Sequence, residues 1–566
     1  MSNQRKQKIL ATLIVVALMA VTTWSGISIG RHYEMRRACK IINDMASGVE
    51  KSKIDMSGYE TQLEELESHI MNDDKLLQTV WSIKQFYIED IDVEELYDKA
   101  IPSLLAQLDP HSEYFPASSF TSINENLEGE FDGIGIVFNA STDTITVLNV
   151  IPQGPSDKAG VRPGDRVLRI DDRDVAGQGI PQDSMVRLMR GPRGTHVKLS
   201  LKRNSIDELI DVDIKRDAIE VKSIETAFMI DNEAKIGFIR LSQFSRTSYK
   251  ELTDAIAKLN KEGMRSLIID LRSNSGGYLD QAILIANEFL APNKLIVYTE
   301  DRYGLQQKEY SRGNGKSQEL PLAILVDELS ASSSEILAGA IQDNDRGVVI
   351  GRRTFGKGLV QAQLPYTDGS AMRLTVARYY TPTGRCIQKP YEKGKGLAYE
   401  LELIDRYTNN EYFTADSIHF DDSQKFTTPE GRTVYGGGGI MPDIFIPLDT
   451  LGITPYYTKV WNTNTLYRYT LDFTDRHRDE LNRVGNLEQL DAIFDKRNIV
   501  EEFVRYAEKH GVERNDSEIA ESYDVIEAQL RAYIGRNCLN DESGFYHNIY
   551  PIDNVAQRAV EELRKR

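Results

Sequence analysis

A run of serines follows a short apolar segment in the middle of the chain. In LAILVDELSASSSEILAGAIQDN a strand is predicted to end at Asp327, and Ser330, Ser332, Ser333 and Ser334 lie where a helix begins. A serine at a helix N-terminus usually caps the helix, but one cap needs only one serine. The N-terminal amides of a helix also stabilise a developing oxyanion, so the run contains a candidate nucleophile.

A nucleophilic serine needs a base, and the usual base is absent from this part of the sequence. No histidine lies between His196 and His419. Lys357 lies in TFGKGLVQ, between two glycines and close to Phe355 and Leu359. Apolar surroundings lower the pKa of a lysine, so that some neutral amine exists near neutral pH. A solvated surface lysine is the alternative, and the neighbouring residues favour a base.

A pair of glycines follows another apolar segment, in LIIDLRSNSGGYLD. Gly276 and Gly277 allow backbone N–H groups to point at a ligand, as in an oxyanion hole. A tight turn between a strand and a helix explains the pair at least as well.

The elements that must position these residues alternate between strands and helices. The alternation runs from about Lys235 to Tyr380 and predicts an α/β core with a mainly parallel sheet. A hairpin is predicted around Thr367-Asp368-Gly369. The predicted strands are KIGFIRL, SLIIDLR, LAILVD and GVVIG, and the predicted helices are Tyr249–Asn260, Leu279–Leu290 and about Ser334–Gln342.

The pattern changes outside this core. Residues 129–203 consist of short β segments with glycine-rich turns, which predicts a small β-rich module. The chain is polar between Lys389 and Tyr435, and we predict an irregular insertion there, a solvated loop rather than a gate or a partner site. The region after residue 450 is predicted to be mainly helical.

The N-terminus carries a targeting signal. Arg5, Lys6 and Lys8 precede an apolar run from Ile9 to Ile29. The run is about long enough to span a bilayer, and its basic flank places the N-terminus on the cytoplasmic side. Because no convincing small-residue cleavage site follows, we predict an uncleaved anchor in preference to a cleaved signal peptide. In both cases the rest of the chain is exported.

Charge and cysteine content narrow the function classes. A net charge of −18 argues against a nucleic-acid-binding protein, which needs a basic face. The three cysteines, Cys39, Cys386 and Cys538, are too few and too far apart for a disulfide framework. No CxxC motif or Cys/His cluster indicates zinc, so we predict no metal.

Several motifs in a fixed order resemble the C-terminal processing peptidases, the carboxyl-terminal or tail-specific proteases of peptidase family S41. SASSSEILAGAIQDNDRG followed by GRRTFGKGLVQ carries the likeness, with LDPHSEYF, DLRSNSGG and YYTPTGRCIQ in the family's order. The likeness runs from about Leu76 to Arg385 and resumes at Gly439–Pro447. It implies a serine endopeptidase that uses no cofactor and cleaves exported proteins near their C-termini.

The resemblance also implies residue roles. Ser332, the first serine of the SxSE element, would be the nucleophile, Lys357, 25 residues later, its base, and Gln361 the residue that orients the lysine amine. The N–H groups of Gly276 and Ser333 would form the oxyanion hole. Ser333 replaces an alanine that is common in the family, so a second hydroxyl lies beside the nucleophile and the choice of Ser332 depends on motif alignment.

The β-rich module resembles a PDZ domain. Gly133-Ile134-Gly135-Ile136 resembles the PDZ carboxylate-binding loop, and KAGVRPGDRVLRIDD resembles the middle of the domain. In such a loop backbone amides hold a terminal carboxylate while the peptide adds as a strand to the sheet edge. A β-turn is the alternative for GIGI alone. Arg190 matches a family arginine thought to couple the PDZ domain to the active site.

The prediction is therefore a multidomain α+β protein with a crotonase/ClpP-like α/β protease core, an inserted PDZ domain and helical N- and C-terminal regions. The implied partners are protein substrates with apolar C-terminal tails, an envelope adaptor, the bacterial inner membrane and a second copy of the chain, with the catalytic domains in the periplasm. The predicted divisions are a cytoplasmic tail and anchor at 1–30, a stalk and helical region at 31–125, the PDZ domain at 126–205, the core at 206–390, the insertion at 391–435, a return strand at 436–449 and a helical domain at 450–566.

Two other function classes stay open. A non-catalytic PDZ-type scaffold would bind protein tails without cutting them, but the retained serine, lysine, glutamine and glycine pair argue against it. A crotonase-like core serves acyl-CoA chemistry in other families, and the PDZ module together with Lys357 argues against that function.

Overall fold

The computed structural model describes residues 75–139, 144–151, 153–203, 206, 208–539 and 542–566. The predicted anchor at 1–30 and the adjoining stalk up to residue 74 lie outside these ranges. Within them, no helix has both the length and the apolar composition that crossing a membrane requires. The chain divides into two compact units, Met1–Tyr97 and Asp98–Arg566. The described part of the first unit contains helix α1 (Lys75–Phe86) and the start of α2 (Val93–Leu105).

The second unit contains the β-rich module predicted from the sequence. Strand β1 (Glu113–Phe115) and helix α3 (Ala117–Glu128) lead to it, and Gly129 ends the helix in the left-handed region at φ 84°. The antiparallel sheet has the order β3-β4-β5-β7-β8, with β6 paired to β5. Strand β8 carries the sheet past the predicted boundary at residue 205. The elements are β2 (Glu130–Gly133), β3 (Ile136–Asn139), β4 (Ile145–Val150), α4 (Pro155–Lys158), β5 (Arg166–Ile170), β6 (Arg173–Asp174), α5 (Gln182–Met189), β7 (His196–Lys202) and β8 (Ile210–Lys215).

A six-stranded sheet with the order β10-β11-β12-β15-β16-β21, in which β21 is Ile444–Phe445, forms the centre of the unit. Strands β10 and β11 are antiparallel and the other four pairings are parallel, which confirms the predicted α/β core. Strands β12 and β15 are buried along their whole length, as expected for parallel strands covered on both faces. The elements are β9 (Asp217–Glu220), which pairs with β2, then β10 (Ile224–Asp231), β11 (Ile236–Leu241), α6 (Ser248–Lys261), β12 (Ser266–Asp270), α7 (Leu279–Phe289), β13 (Leu295–Asp301), β14 (Gln306–Tyr310), β15 (Leu322–Val326), α8 (Ser333–Asp343) and β16 (Val348–Gly351).

A second, antiparallel sheet contains the two strands that directly follow β16 in the chain. This segment carries Lys357 and Gln361. Strands β17 (Leu359–Pro365) and β18 (Ala371–Tyr380) form the predicted hairpin, and β18 also pairs with β1 and β13. The loop that precedes β17 carries Lys357, and the strand itself carries Gln361. Both residues therefore come from the junction of the two sheets.

The predicted irregular insertion is wrong. Segment 391–435 contains helix α9 (Gly396–Thr408) and a hairpin of β19 (Lys425–Thr427) and β20 (Thr433–Tyr435). Tyr399 and Arg406 are only 5% and 2% exposed, whereas Leu397 and Ile404 are 70% and 57% exposed. The helix buries an aromatic ring and a charged group and exposes aliphatic side chains. Hydrophobic periodicity would place the aliphatic side chains of this helix inside and its charged side chains outside, which is the reverse of what is observed, so the sequence pattern does not predict the helix.

The chain returns to the central sheet and ends in helices. Strand β21 (Ile444–Phe445) pairs with β16. The predicted helical C-terminal region is confirmed, and its last helix packs against the central sheet, where Val560 and Leu563 share a cluster with Leu325. Arg272 also bonds Asp553 at 2.7 Å. The helices are α10 (Pro455–Asn462), α11 (Thr465–Arg476), α12 (Arg478–Leu481), α13 (Leu487–Phe494), α14 (Ile499–Lys509), α15 (Asp516–Glu521), α16 (Tyr523–Arg536), α17 (Ser543–Ile549) and α18 (Asn554–Leu563).

Candidate active site

The serine run lies between β15 and α8, at the carboxyl edge of the parallel sheet. Three of its four hydroxyls donate to backbone carbonyls: Ser330 to Leu271 at 2.8 Å, Ser333 to Gly277 at 2.9 Å and Ser334 to Asn274 at 2.8 Å. The Ser332 hydroxyl, which lies in the capping box at the start of α8, donates to no acceptor among the described residues. This difference favours Ser332 over Ser333 as the reactive hydroxyl.

Ser332 has an unusual backbone. Its φ of 54° and ψ of −114° are rare for a residue with a side chain, and such conformations cluster at functional sites. The residue directly precedes the first turn of α8, where helix N–H groups lie close to its side chain.

The glycine pair lies next to the serine. Gly276 has φ 104°, and a Cβ on it would lie 2.8 Å from the Cβ of Ser332 and 3.0 Å from the nitrogen of Ser333. A side chain at this position would therefore collide with Ser332. The N–H of Ser333 has no acceptor within the described ranges, whereas the N–H of Gly276 donates to the side chain of Asn274 at 2.9 Å. One of the two predicted oxyanion donors is thus free and the other is engaged locally.

Lys357 is partly buried beside the serine helix. Burial lowers the pKa of Lys357 below its ordinary value, and the positive charge of Arg373 lowers it further. The carboxylates of Glu113, Glu335 and Asp109 act in the opposite direction. Its Nζ makes no hydrogen bond to any residue that the structure describes, including Ser332. The lowered pKa favours the neutral amine that a base requires, and this amine makes no hydrogen bond to Ser332.

Glu335 links the two segments, a role that the sequence interpretation missed. This fully buried carboxylate accepts four hydrogen bonds: from the N–H groups of Ser332 and Lys357, each at 2.9 Å, from the N–H of Gly356 at 2.7 Å, and from the hydroxyl of Thr354 at 2.6 Å. Burial raises the pKa of Glu335 to about 7, against the effect of these donors. The S-x-x-E spacing of a capping box was the sequence signal that could have identified it.

Tyr379 makes a second link between the same segments. Its buried hydroxyl lies 2.5 Å from the carbonyl oxygen of Lys357 and 3.2 Å from that of Ser332. Glu335 binds the N–H groups of these two residues and Tyr379 contacts their carbonyls. The backbone positions of Ser332 and Lys357 are therefore fixed relative to each other.

Gln361 makes no hydrogen bond to the Lys357 amine among the described residues. Its Nε2 donates to the carbonyl of His111 at 3.0 Å. The ring of His111 shares a hydrogen bond of 2.9 Å with the Tyr399 hydroxyl. Burial, together with the charge of Lys357, lowers the pKa of His111 to about 4, so the imidazole is neutral near pH 7. The LDPHSEYF motif thus contributes a turn that holds Gln361.

The predicted carboxylate-binding loop lies at an open edge of the module. Strand β3 is the end strand of its sheet and pairs with β4. The carbonyls of Ile134 and Gly135 accept hydrogen bonds from Ser156 and Ile151, each at 3.0 Å. The N–H groups of Ile134 and Gly135 donate to no described residue. Their geometry suits capture of an anion at the end of an added strand.

Arg190 lies at the end of α5, on the module. Its guanidinium donates to Glu125 at 2.7 Å and lies 4.1 Å above the ring of Phe131. Glu125 belongs to α3 and Phe131 to β2, the segments that connect the module to the rest of the unit. The arginine therefore joins the module to its connecting segments.

Comparison with known proteins identifies the family. Residues 235–397 match peptidase family S41, residues 133–214 match the PDZ domain, and residues 456–540 match a family of unknown function. The chain is 36% identical over 314 residues to the carboxy-terminal-processing protease of Bartonella bacilliformis, covering 54% of this chain and 70% of that protein. It is 36% identical over 347 residues to the carboxy-terminal processing protease CtpA of Bacillus subtilis, covering 61% and 72%.

A solved photosystem II D1 C-terminal processing protease is also similar, at 24% identity and a TM-score of 0.36, covering 67% of this chain and 89% of that one. The S41 match contains the serine run, the glycine pair and the lysine loop, and the PDZ match contains the predicted carboxylate loop. The chain belongs to peptidase family S41: it is a carboxy-terminal processing protease, a serine peptidase with a PDZ domain.

Proposed function

We propose that Ser332 and Lys357 form the catalytic dyad of this protease. Ser332 attacks the scissile carbonyl, neutral Lys357 takes its proton, and the protonated lysine then delivers that proton to the leaving amine. The observation that carries the proposal is that the Ser332 hydroxyl donates to no described residue while the other three hydroxyls of the run donate to carbonyls, with Glu335 bonded to the backbone of both partners.

The same proposal assigns the oxyanion to the N–H groups of Gly276 and Ser333 and the orientation of the amine to Gln361. It requires three local changes when substrate binds. The Lys357 side chain rotates toward Ser332, Gly276 releases Asn274, and Gln361 releases the carbonyl of His111. Catalytic hydrogen bonds that are absent without substrate commonly form in the substrate complex.

We further propose that the loop 133–136 of the PDZ domain holds the C-terminal carboxylate of an apolar substrate tail. The free N–H groups of Ile134 and Gly135 at an open sheet edge support this assignment. Arg190 would report an occupied PDZ domain through Glu125 and Phe131, both of which it contacts.

A matched pair of peptides tests tail recognition. For an apolar-tailed peptide, C-terminal amidation should lower kcat/KM about tenfold or more, because a hydrogen-bonded charge is lost. The variant Gly135→Val should remove this discrimination, since Gly135 has φ 73° and its Cβ would lie 3.0 Å from Ile219. Equal kcat/KM values for the acid and amide peptides in the native enzyme would exclude carboxylate recognition.

We propose a periplasmic location, with a single inner-membrane span between Ile9 and Ile29. The basic N-terminal flank and the apolar run support it. An envelope adaptor and pairing of two copies are further proposals from the family resemblance. Protease added to intact spheroplasts should degrade the catalytic domains and spare a short N-terminal fragment, and full protection until the membrane is lysed would contradict this location.

A further inference from the structure

Helix α9 of the insertion packs its polar face against the loop that carries Lys357. Arg406, on this helix, donates from Nη1 to the carbonyl of Thr354 at 2.8 Å and from Nη2 to that of Phe355 at 3.0 Å. Its Nε donates to Glu402 at 2.6 Å. A residue of the insertion therefore bonds two successive carbonyls just before the proposed base.

The loop makes main-chain hydrogen bonds to Ser330, Ile440 and Lys389. Two charged side chains bond the backbone groups that these contacts leave over. On one side Glu335 accepts the N–H groups of Gly356 and Lys357. On the other side Arg406 donates to the carbonyls of Thr354 and Phe355. A buried backbone carbonyl that loses its donor costs free energy or moves, so either change would shift the loop.

The same helix also holds the turn that binds Gln361. The hydroxyl of Tyr399 accepts from the side-chain amide of Gln388 at 3.1 Å, which leaves its own proton for the neutral ring of His111 at 2.9 Å. The main-chain carbonyl of His111 is the one that Gln361 bonds. Arg406 and Tyr399 therefore act on the two segments that carry the base and its predicted orienting residue.

Burying these charged groups carries a desolvation free energy that stability alone does not explain. Arg406 and Lys389 are 2% and 1% exposed and both bond Glu402, which Arg353 also approaches at 3.8 Å, so three cations share one carboxylate. Apolar side chains of similar volume often stabilise a protein as well as or better than a buried ionic cluster. Apolar side chains could not donate hydrogen bonds to the carbonyls of Thr354 and Phe355, as Arg406 in this cluster does.

We propose that the insertion helix positions the catalytic base, with Arg406 and Tyr399 as positioning residues that hold the Lys357 loop and the His111 turn. The inference depends on the proposed Ser332/Lys357 dyad and extends it to a segment outside the core of the family match.

The test is steady-state cleavage of an apolar-tailed peptide by Arg406→Met. We expect kcat at pH 7.5 to fall about tenfold with KM within about twofold, because loss of positioning affects the chemical step more than substrate binding. A loosened loop would expose Lys357 and raise its pKa, so the loss should shrink at pH 9.5. The groups that act on this lysine, Arg373, Glu113, Glu335 and Asp109, are unchanged in the variant.

Arg432→Met is the matched control. Arg432 ties the same insertion to the core through Asp345 at 2.7 Å, Asp443 at 2.9 Å and the carbonyl of Gln342 at 2.8 Å, none of which belongs to the Lys357 loop. Its kcat should stay within about twofold of the native value. Equal losses in the two variants, or an unchanged kcat in Arg406→Met, would overturn the proposal.

Two further variants complete the design. Arg406→Lys keeps the charge beside Glu402 but cannot donate to both carbonyls as a fork, and should lose about threefold in kcat. It decides the question if Arg406→Met does not fold, because native kcat in Arg406→Lys contradicts positioning. Lys357→Met is measured in parallel. If Lys357→Met keeps its activity, the proposed dyad is wrong. If Lys357→Met is inactive but the Arg406 variants have native kcat, the dyad stands and only the positioning role of Arg406 is wrong.

Discussion

Replacing Lys357 with Met should lower kcat about 10⁴-fold, and Ser332→Ala should do the same. Without the neutral amine the hydroxyl keeps its proton, and without the hydroxyl no acyl-enzyme forms. Methionine keeps most of the stem while removing a charge whose burial is unfavourable, so the melting temperature should not fall. The measurement is single-turnover cleavage of an apolar-tailed peptide.

The double variant Ser332→Ala/Lys357→Met separates a dyad from two independent contributions. Residues that act as a unit are strongly non-additive, so the double variant should be no slower than either single one. Ser333→Ala is the matched control, since its hydroxyl donates to the Gly277 carbonyl, and it should keep kcat within about tenfold. Additive losses, or a Ser333→Ala variant as inactive as Ser332→Ala, would reject the assignment.

The pH dependence follows from the same group. Lys357 must be neutral to accept a proton, so kcat/KM should rise with pH through its pKa. Burial and Arg373 lower that pKa, so the rise should occur below the range of an ordinary lysine, about 10.4. A rise of kcat/KM centred on the pKa of an ordinary lysine would show that Lys357 is solvated in the working enzyme.

The sequence alone pointed to Ser332, Gly276 and Lys357 as candidate site residues because each lies in a short motif next to a regular element. Strands β12 and β15 are neighbours in a parallel sheet, so the segments that follow them meet at the same edge. The burial of these strands on both faces made them readable as continuous apolar runs. Local pattern and topology together therefore predict this half of the site.

The other half depends on contacts between residues far apart in sequence. Arg406 bonds Thr354, and Gln361 bonds His111, through groups whose partners no local pattern specifies. The buried face of α9 is polar, so hydrophobic periodicity points to the wrong side of that helix. Polar burial of this kind becomes visible only when the tertiary fold brings the partner groups together.

Glu335→Gln is the second variant with a large expected effect. Each carboxylate oxygen accepts two hydrogen bonds: Oε1 from Thr354 and Gly356, and Oε2 from Ser332 and Lys357. An amide would turn an NH₂ group toward one of these donor pairs and leave both donors unsatisfied. We expect kcat to fall about 10²-fold through misplacement of the dyad, and the free energy of unfolding to fall by about 2–4 kcal/mol.

Glu288→Met, which removes both acceptor oxygens, shows whether such a loss comes from the site or from a general loss of stability. Glu288 is also buried and accepts hydrogen bonds from Ser317 and the N–H of Lys316, each at 2.9 Å, but it has no contact with the dyad. It should lose comparable stability and keep kcat. Because the pKa of Glu335 is about 7, protonation below that pH should produce the same defect as the amide. From pH 8 to 6 kcat should therefore fall more steeply in the native enzyme than in Glu335→Gln, and parallel profiles would remove Glu335 from the positioning of the dyad.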